Sequence, residues 1–397
     1  MLHGSGSSSS TATMNFGQDS TFSGLRSAGG NQDANGIGDF AYAPPSGYLA
    51  LCTANLPTPT IVDGSEHFNT VLFTGNNADR NIDVGFKSDF VWLKHRSDAS
   101  SHRLYDSFRG DGKTLFSDLT NAEYNGVDDG VEFAYADGFN IDVGANVYNY
   151  NGSGQTYAAW NWKAGGTAVS NTDGTITSQV SVNTDAGFSI VEWTYSASNN
   201  TVGHGLGAPV DMIITKDRGS GASNWCVWHK DLGDMATGYY LNLNNTNAST
   251  SYSTLWGQSS ASSTTFGQGS GLAVSGSQIA YCFANSDIIK VGSYTGNGST
   301  DGTFVFTGFR PAWVMVKRSS GSGAWGMSDT SRSPDNVVQE GFEANTSLAE
   351  FNSSNYYHDI LSNGFKLRTS DDAMNGSGST YIYLAFAEHP FKYANAR

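Results

Sequence analysis

The sequence predicts an all-β chain of tandem antiparallel β-sandwich repeats, jelly-roll-like, with an extended N-terminal arm, and three observations carry that reading. An apolar strand ending in a basic residue occurs three times, as Phe86-Lys-Ser-Asp-Phe-Val-Trp-Leu-Lys94-His-Arg96, Leu206-Gly-Ala-Pro-Val-Asp-Met-Ile-Ile-Thr-Lys216-Asp-Arg218 and Phe309-Arg-Pro-Ala-Trp-Val-Met-Val-Lys317-Arg318. Apolar residues alternate along these segments, as in Phe90, Trp92 and then Lys94, which is the two-residue period of a strand. Turn residues are dense, at Thr74-Gly-Asn-Asn, Asp137-Gly, Tyr294-Thr-Gly-Asn-Gly-Ser, Asp301-Gly and Asn363-Gly, whereas no stretch of a dozen residues combines helical periodicity with caps.

The copies agree beyond one strand. Asn151-Gly-Ser-Gly-Gln-Thr-Tyr157 matches Asn375-Gly-Ser-Gly-Ser-Thr-Tyr381, Ala122-Glu-Tyr-Asn125 matches Ala349-Glu-Phe-Asn352, and Asp137-Gly-Phe139 matches Asn363-Gly-Phe365. Their separations run only from 223 residues (Lys94 to Lys317) to 227 (Ala122 to Ala349), so the chain is a repeat protein. The expected division is a flexible arm with docking strands over 1–60, a first sandwich over 61–166, a polar linker over 167–185, a second sandwich over 186–286 and a third over 287–397. Runs such as Val314-Met-Val and Met212-Ile-Ile are apolar on both faces and are expected at the centre of a sandwich. The short joint between repeats two and three, about Asn285 to Lys290, predicts tighter packing there than across the longer polar linker. In the arm, Phe40-Ala-Tyr-Ala-Pro-Pro45 and the segment to Pro57 read as a strand pair around a double-proline turn.

Composition narrows the function. Charged residues are 14% of the 397, against about 25% in an average soluble protein, as expected for short strands joined by turns. A net charge of −15 with no basic run argues against nucleic acid as a partner, because that binding rests on clustered Lys and Arg. Cys52, Cys226 and Cys282 form neither a disulfide framework nor a zinc pattern and are expected to be buried free thiols on strands. Met1-Leu-His-Gly-Ser-Gly-Ser-Ser-Ser-Ser10 lacks the basic end and apolar stretch of a signal peptide, and no segment has the ~20 apolar residues of a membrane span.

No catalytic, metal or cofactor site is expected. Gly110-Asp-Gly-Lys-Thr114 has Ser107 where a phosphate loop needs its first glycine, and Arg109-Gly-Asp111 reads as a plain turn. The histidines lack zinc spacing, and His102 and His229 are expected to be hydrogen-bonding residues at strand ends. Glu132, Asp142 and Glu192 are the carboxylates from which a glycosidase pair would be drawn, whereas Glu123 and Glu350, at equivalent repeat positions, read as structural. Asp128-Asp129 with Glu132, and Asp371-Asp372 with Asn375, are oxygen-rich loops without calcium-loop spacing, read as solvated turns. Aromatic residues make 13% of the chain, and those in polar loops are the candidate binding residues: Tyr239, Tyr240, Tyr252, Trp256, Tyr356 and Tyr357, where an exposed ring can stack on a sugar or dock a protein.

Taken together, Gly47 to Pro57, Asn171-Thr-Asp-Gly-Thr-Ile-Thr-Ser178, Gly203-His-Gly-Leu-Gly207, Tyr294-Thr-Gly-Asn-Gly298, Thr307 to Arg318 and Leu361-Ser-Asn-Gly-Phe-Lys-Leu-Arg368 resemble a repeated domain of marine tailed-bacteriophage virion structural proteins. Asn15-Phe-Gly-Gln18 with Phe40 to Pro45 is similar to the last strands of a SPRY or concanavalin-like sandwich, the body of which is absent here. The resemblance implies a non-enzymatic virion structural protein displayed on the phage surface as tail fibre, head fibre or capsid decoration, made in the host cytoplasm. It implies other virion proteins and further copies of itself as partners, with host cell-surface polysaccharide as the ligand of a host-attachment role. The alternatives are a free carbohydrate-binding or adhesin module and a polysaccharide depolymerase.

Overall fold

The computed structural model describes residues 19–126, 129–219, 221–257, 259–272 and 276–393. The chain divides into two compact units, Met1–Pro59 and Thr60–Arg397. In the first, the described part is built of turns tied to two carboxylates. Asp33 accepts from the amides of Asn35, Ile37 and Ala50 and from Asn55 Nδ2 at 2.7–2.9 Å, and Asp39 takes Ser20 Oγ and the Gly30 amide. The expected strand pair around Pro44-Pro45 does not form: Phe40 is bridged instead to Asn31, and the segment to Pro57 is drawn into turns by Asp33, which takes the Ala50 amide and Asn55 Nδ2. Asn15 to Gln18 lie outside the described residues.

In the second unit, every repeat lays one large antiparallel sheet over a small one. The first repeat orders Phe68–Thr74, Thr156–Trp162, Phe90–His95 and Arg103–Asp106 in its large sheet and Arg80–Asp83, Gly138–Asp142 and Gly130–Glu132 in its small one. The third repeats this order with Ile289–Thr295, Thr380–Pro390, Phe309–Arg318 and Trp325–Asp329, then adds Glu340–Glu343 and Phe351–Asn352. Its small sheet is Phe304–Phe306, Gly364–Leu367 and His358–Leu361. The second orders Phe188–Thr194, Ser277–Phe283, Met212–Asp217 and Cys226–His229, over Asn200–Gly203 and Thr265–Gln268. The longest helix among the described residues is the four-residue Tyr148–Asn151. The fold is thus all-β, with antiparallel sheets throughout.

The linker expected over 167–185 is instead two strands, Val169–Asn171 and Ser178–Asn183, that extend the second repeat's large sheet. The Asn171-Thr-Asp-Gly174 turn gives the segment its polar composition, yet Val180 and Val182 alternate as strand residues and pair with Val191 and Ser189.

Register makes the repeats superimposable. Phe90 opposes Trp162, Met212 opposes Phe283 and Trp313 opposes Phe386, four residues before Lys94, Lys216 and Lys317 respectively. The two faces of these strands then account for runs that are apolar throughout. Val91, Leu93, Tyr157 and Ala159 face the first repeat's own small sheet, while Phe90, Trp92, Trp160 and Trp162 join a core that also contains Met212, Tyr281, Phe283, Trp313, Met315 and Phe386. Rings from all three repeats touch there: Phe90 and Tyr281 at 4.2 Å, Phe283 and Phe386 at 6.0 Å, and Trp162 and Trp313 at 6.0 Å between centroids. A void of about 10 Å³ on this meeting line has an apolar lining drawn from all three repeats, so it has no partners to offer a water. The first and second sandwiches each enclose a core of their own between their sheets, and the three sandwiches together form a closed ring around a further core that all of them share.

Candidate functional site

Among the positions that the repeats have in common are those that join them. Each large-sheet lysine sits almost fully buried and donates to its own next carbonyl and to a loop carbonyl of the adjoining repeat. Lys94 Nζ reaches His95 O (2.9 Å) and Ser347 O (3.3 Å), Lys216 reaches Asp217 O (3.0 Å) and Thr120 O (3.2 Å), and Lys317 reaches Arg318 O (2.7 Å) and Thr246 O (3.3 Å). Burial holds all three ammonium groups down at about 8. A second ring of bonds runs in the same sense. His102 Nε2 donates to Glu343 O (3.1 Å), Trp225 Nε1 to Phe116 O (2.7 Å) and Trp325 Nε1 to Asn242 O (2.9 Å). The His102 tautomer follows from Trp92 Nε1, which donates to Nδ1 at 2.9 Å.

Two of the three junctions add a buried ionic cluster. Between repeats one and two, Arg109 donates to Asp106 (2.5 Å) and Glu123 (3.3 Å), Arg218 forks onto Glu123 (2.9 Å twice), and Tyr281 Oη donates to Asp106 (2.8 Å). Between repeats three and one, Arg332 donates to Asp329 (2.5 Å) and Glu350 (3.2 Å), Arg96 forks onto Glu350 (2.8–3.1 Å), and Trp160 Nε1 donates to Asp329 (3.0 Å). Both arginines of the Asp–Arg pairs have side chains shut off from solvent. Although burial pushes the Glu123 carboxyl up, Arg218 and Arg109 more than reverse it and hold it below the usual range. Glu192, a candidate for hydrolysis, is likewise paired to Arg218, at 2.5 Å.

The closing Asn-Gly-Ser-Gly motif is a structural latch. Asn151 Nδ2 donates to Asn76 Oδ1 and Ala78 O while Tyr157 Oη bridges the Gly152 amide and Tyr148 O. Asn375 and Tyr381 repeat the pattern with Asn297, Ser299, Gly376 and Asp372. Asp372 is also held by Arg318 (2.7 Å), and Asp129 by Tyr150, Tyr124 and Asn146, so both oxygen-rich loops are internally bonded. Asp128 lies outside the described residues. Among the described residues no group of three or more His, Cys, Asp and Glu is placed to hold a metal. Arg109 of Arg109-Gly-Asp111 is buried in its ionic cluster. Cys226 and Cys282 are buried on strands, whereas Cys52 is exposed, because it precedes the short turn Thr53–Asn55, whose residues include none that is buried, and is not on a strand.

The six candidate rings fall into two groups. Tyr239 and Tyr240 lie on the strand Tyr239–Asn242, paired to Thr250–Ser251, with Tyr252 immediately after. Alternation puts Tyr240 and Tyr252 on one face and Tyr239 on the other. Tyr252 is 52% and Tyr239 40% exposed, while Tyr240 is half-buried. Trp256 corrects the expectation of a loop ring, since it is fully buried with Nε1 donating to Tyr239 O (3.1 Å). Gly267 lets the backbone close over it, because a Cβ there would meet Trp256 O at 1.9 Å. In the third repeat, Tyr356 packs over Gly326 with its hydroxyl on Glu343 (2.5 Å), and half-buried Tyr357 donates to Asn352 (2.7 Å). Sequence reasoning missed Phe304 and Phe306, which are 43% and 58% exposed on the small sheet's edge.

A protein-family model matches residues 63–390; its description is a domain of unknown function, DUF7483. No curated protein and no solved structure matches the chain.

Proposed function

The chain belongs to the DUF7483 family, a domain of unknown function, and we propose that it is a non-enzymatic structural protein displayed on the surface of a tailed-phage virion, as fibre or capsid decoration. The virion part of this reading rests on the sequence motifs. The structural part rests on one observation: the lysine common to all three repeats, and the glutamate common to two, are turned inward to join them. Lys94, Lys216, Lys317, Glu123 and Glu350 are all committed to inter-repeat bonds, which suits a rigid load-carrying module. The test is to offer the purified, fluorescently labelled chain separately to host cells and to particles lacking it. Decoration of particles alone supports a capsid or tail component, and decoration of cells with blocked adsorption supports a receptor-binding fibre. Binding to neither contradicts the proposal.

A second reading, a carbohydrate-binding module, is favoured by Tyr252 beside Tyr240 on one accessible face, where an exposed ring can stack on a sugar. A glycan array probed with the wild-type chain and with Tyr252→Ala tests it, since signal that the substitution leaves unchanged removes that face as the site. The depolymerase alternative loses Glu192, one of its carboxylates, to Arg218.

A further inference from the structure

The three small sheets provide an internal control for one surface position. Their edge strands align through a buried residue paired with an equivalent phenylalanine: Ile82 with Phe139, Val202 with Phe266, and Val305 with Phe365. The residues on either side are Asn81 and Asp83 in the first repeat, Thr201 and Gly203 in the second, and Phe304 and Phe306 in the third. Two large rings thus stand in solvent where the other copies carry polar or small residues. Gly364 makes room for one of them, since a Cβ there would meet the Phe304 ring at 3.1 Å.

The backbone of this strand is also open. Leu367 N–H donates to Thr303 O and Thr307 N–H to Asn363 O, so the odd-numbered residues bond inward to Gly364–Leu367. Phe304 and Phe306 consequently direct their N–H and C=O outward. One of these groups is already engaged within the chain, since the Tyr383 hydroxyl donates to Phe306 O (3.4 Å), so a partner strand's bonds fall to Phe304 and to the Phe306 N–H. An exposed apolar edge of this kind is one that proteins ordinarily cover or charge.

The second repeat shows how the fold covers it. There the segment Thr175–Ile176 lies along the outer edge of Asn200–Gly203, with Ile176 bridged in parallel to Val202 and its amide donating to Thr201 O (3.0 Å). Thr175 and Thr201 exchange bonds through their hydroxyls, and Ser178 Oγ donates to Gly203 O (2.7 Å). Thr201 and Gly203 are the counterparts of Phe304 and Phe306.

We infer that the edge of Phe304–Phe306 is a docking site for an extended peptide strand of a partner protein, bound parallel to it with a β-branched apolar residue opposite Val305. Main-chain bonds to Phe304 and Phe306 supply affinity, and their two rings supply an apolar face that the equivalent sites lack. The inference stands on the three-way comparison and is independent of whether the chain belongs to a virion.

The probe is the end-blocked, fluorescein-labelled peptide of residues 171–179, which covers the equivalent edge in the second repeat. Anisotropy titration of the full chain is expected to show saturable binding, weakened at least about tenfold in F304N/F306D, which installs the first repeat's residues. Thermal unfolding checks that this variant folds. As a second measurement on the wild type, the peptide is expected to slow hydrogen exchange at the Phe304 and Phe306 amides. Binding that survives the double substitution, or no binding up to about 1 mM peptide, overturns the inference. So does self-association of the wild-type chain that F304N/F306D abolishes, because the edge would then be closed by a second copy.

Discussion

The junction between repeats two and three differs from the other two at five positions at once. Where those junctions carry Asp, Arg, Glu, Arg and a hydrogen-bonding ring (Asp106, Arg109, Glu123, Arg218 and Tyr281, or Asp329, Arg332, Glu350, Arg96 and Trp160), this one carries His229, Leu232, Ser249, Ser319 and Leu384. The backbone geometry is nonetheless kept: Glu123 N–H donates to Arg218 O, Glu350 N–H to Arg96 O and Ser249 N–H to Ser319 O, each at 2.9 Å. A buried ion cluster works only complete, since each charge removed from water needs its partners, so the whole set is present or the whole set is replaced. Ionic contact does not follow joint length. The long segment between repeats one and two precedes a junction with more ionic contacts than the short joint between two and three.

Breaking one cluster should have the largest effect. Arg332→Met leaves Asp329 buried without its cation and is expected to cost about 3–5 kcal/mol in denaturant unfolding. Replacing the complete set at the first junction, with the Glu192 that also pairs to Arg218, by the residues of the ion-free junction (Asp106→His, Arg109→Leu, Glu123→Ser, Arg218→Ser, Tyr281→Leu and, after Ser293, Glu192→Ser) should instead be neutral or stabilising by up to ~4 kcal/mol. A loss as large as the single substitution would show that the two solutions are not interchangeable.

The lysines common to all three junctions predict a smaller, pH-dependent effect. Burial lowers each from 10.5 to about 8, so above pH 8 the unfolded chain holds protons that the folded chain has released, and stability rises with pH. The buried thiols of Cys226 and Cys282, pushed up from 9.0 by burial, act in the opposite direction above about pH 9. Melting temperature should therefore climb between pH 7 and 9, and Lys317→Met should flatten that climb; an unchanged slope would mean that Lys317 does not titrate there. The smallest effect belongs to single hydrogen bonds. Trp325→Phe and Trp225→Phe should each cost about 1 kcal/mol and match each other, because this bond is the same at the ionic and the ion-free junction.

The repeats were legible because Lys94, Lys216 and Lys317, and the Asn-Gly-Ser-Gly latches, are side-chain signatures. Glu123 and Glu350 could be read as structural for the same reason. The closure of the ring was not legible, because the acceptors Ser347, Thr120 and Thr246 take part through their carbonyl oxygens, which any residue would provide. Trp256 was misplaced because most of the apolar cluster that buries it, including Trp193 and Met235, lies far from it in sequence, while the residues that follow it are polar or small. Phe304 and Phe306 escaped notice for the converse reason: Phe-Val-Phe has the composition of a core strand, and only alignment with Asn81-Ile-Asp83 and Thr201-Val-Gly203 marks its flanks as surface.

The claim that three repeats share one core is tested most directly by differential scanning calorimetry of the full chain. If the core formed by Phe90, Tyr281, Trp313 and their neighbours couples the ring, residues 60–397 should unfold in one transition with equal calorimetric and van't Hoff enthalpies. Three resolved transitions, or a calorimetric enthalpy several times the van't Hoff value, would contradict it and return the chain to a row of independent sandwiches.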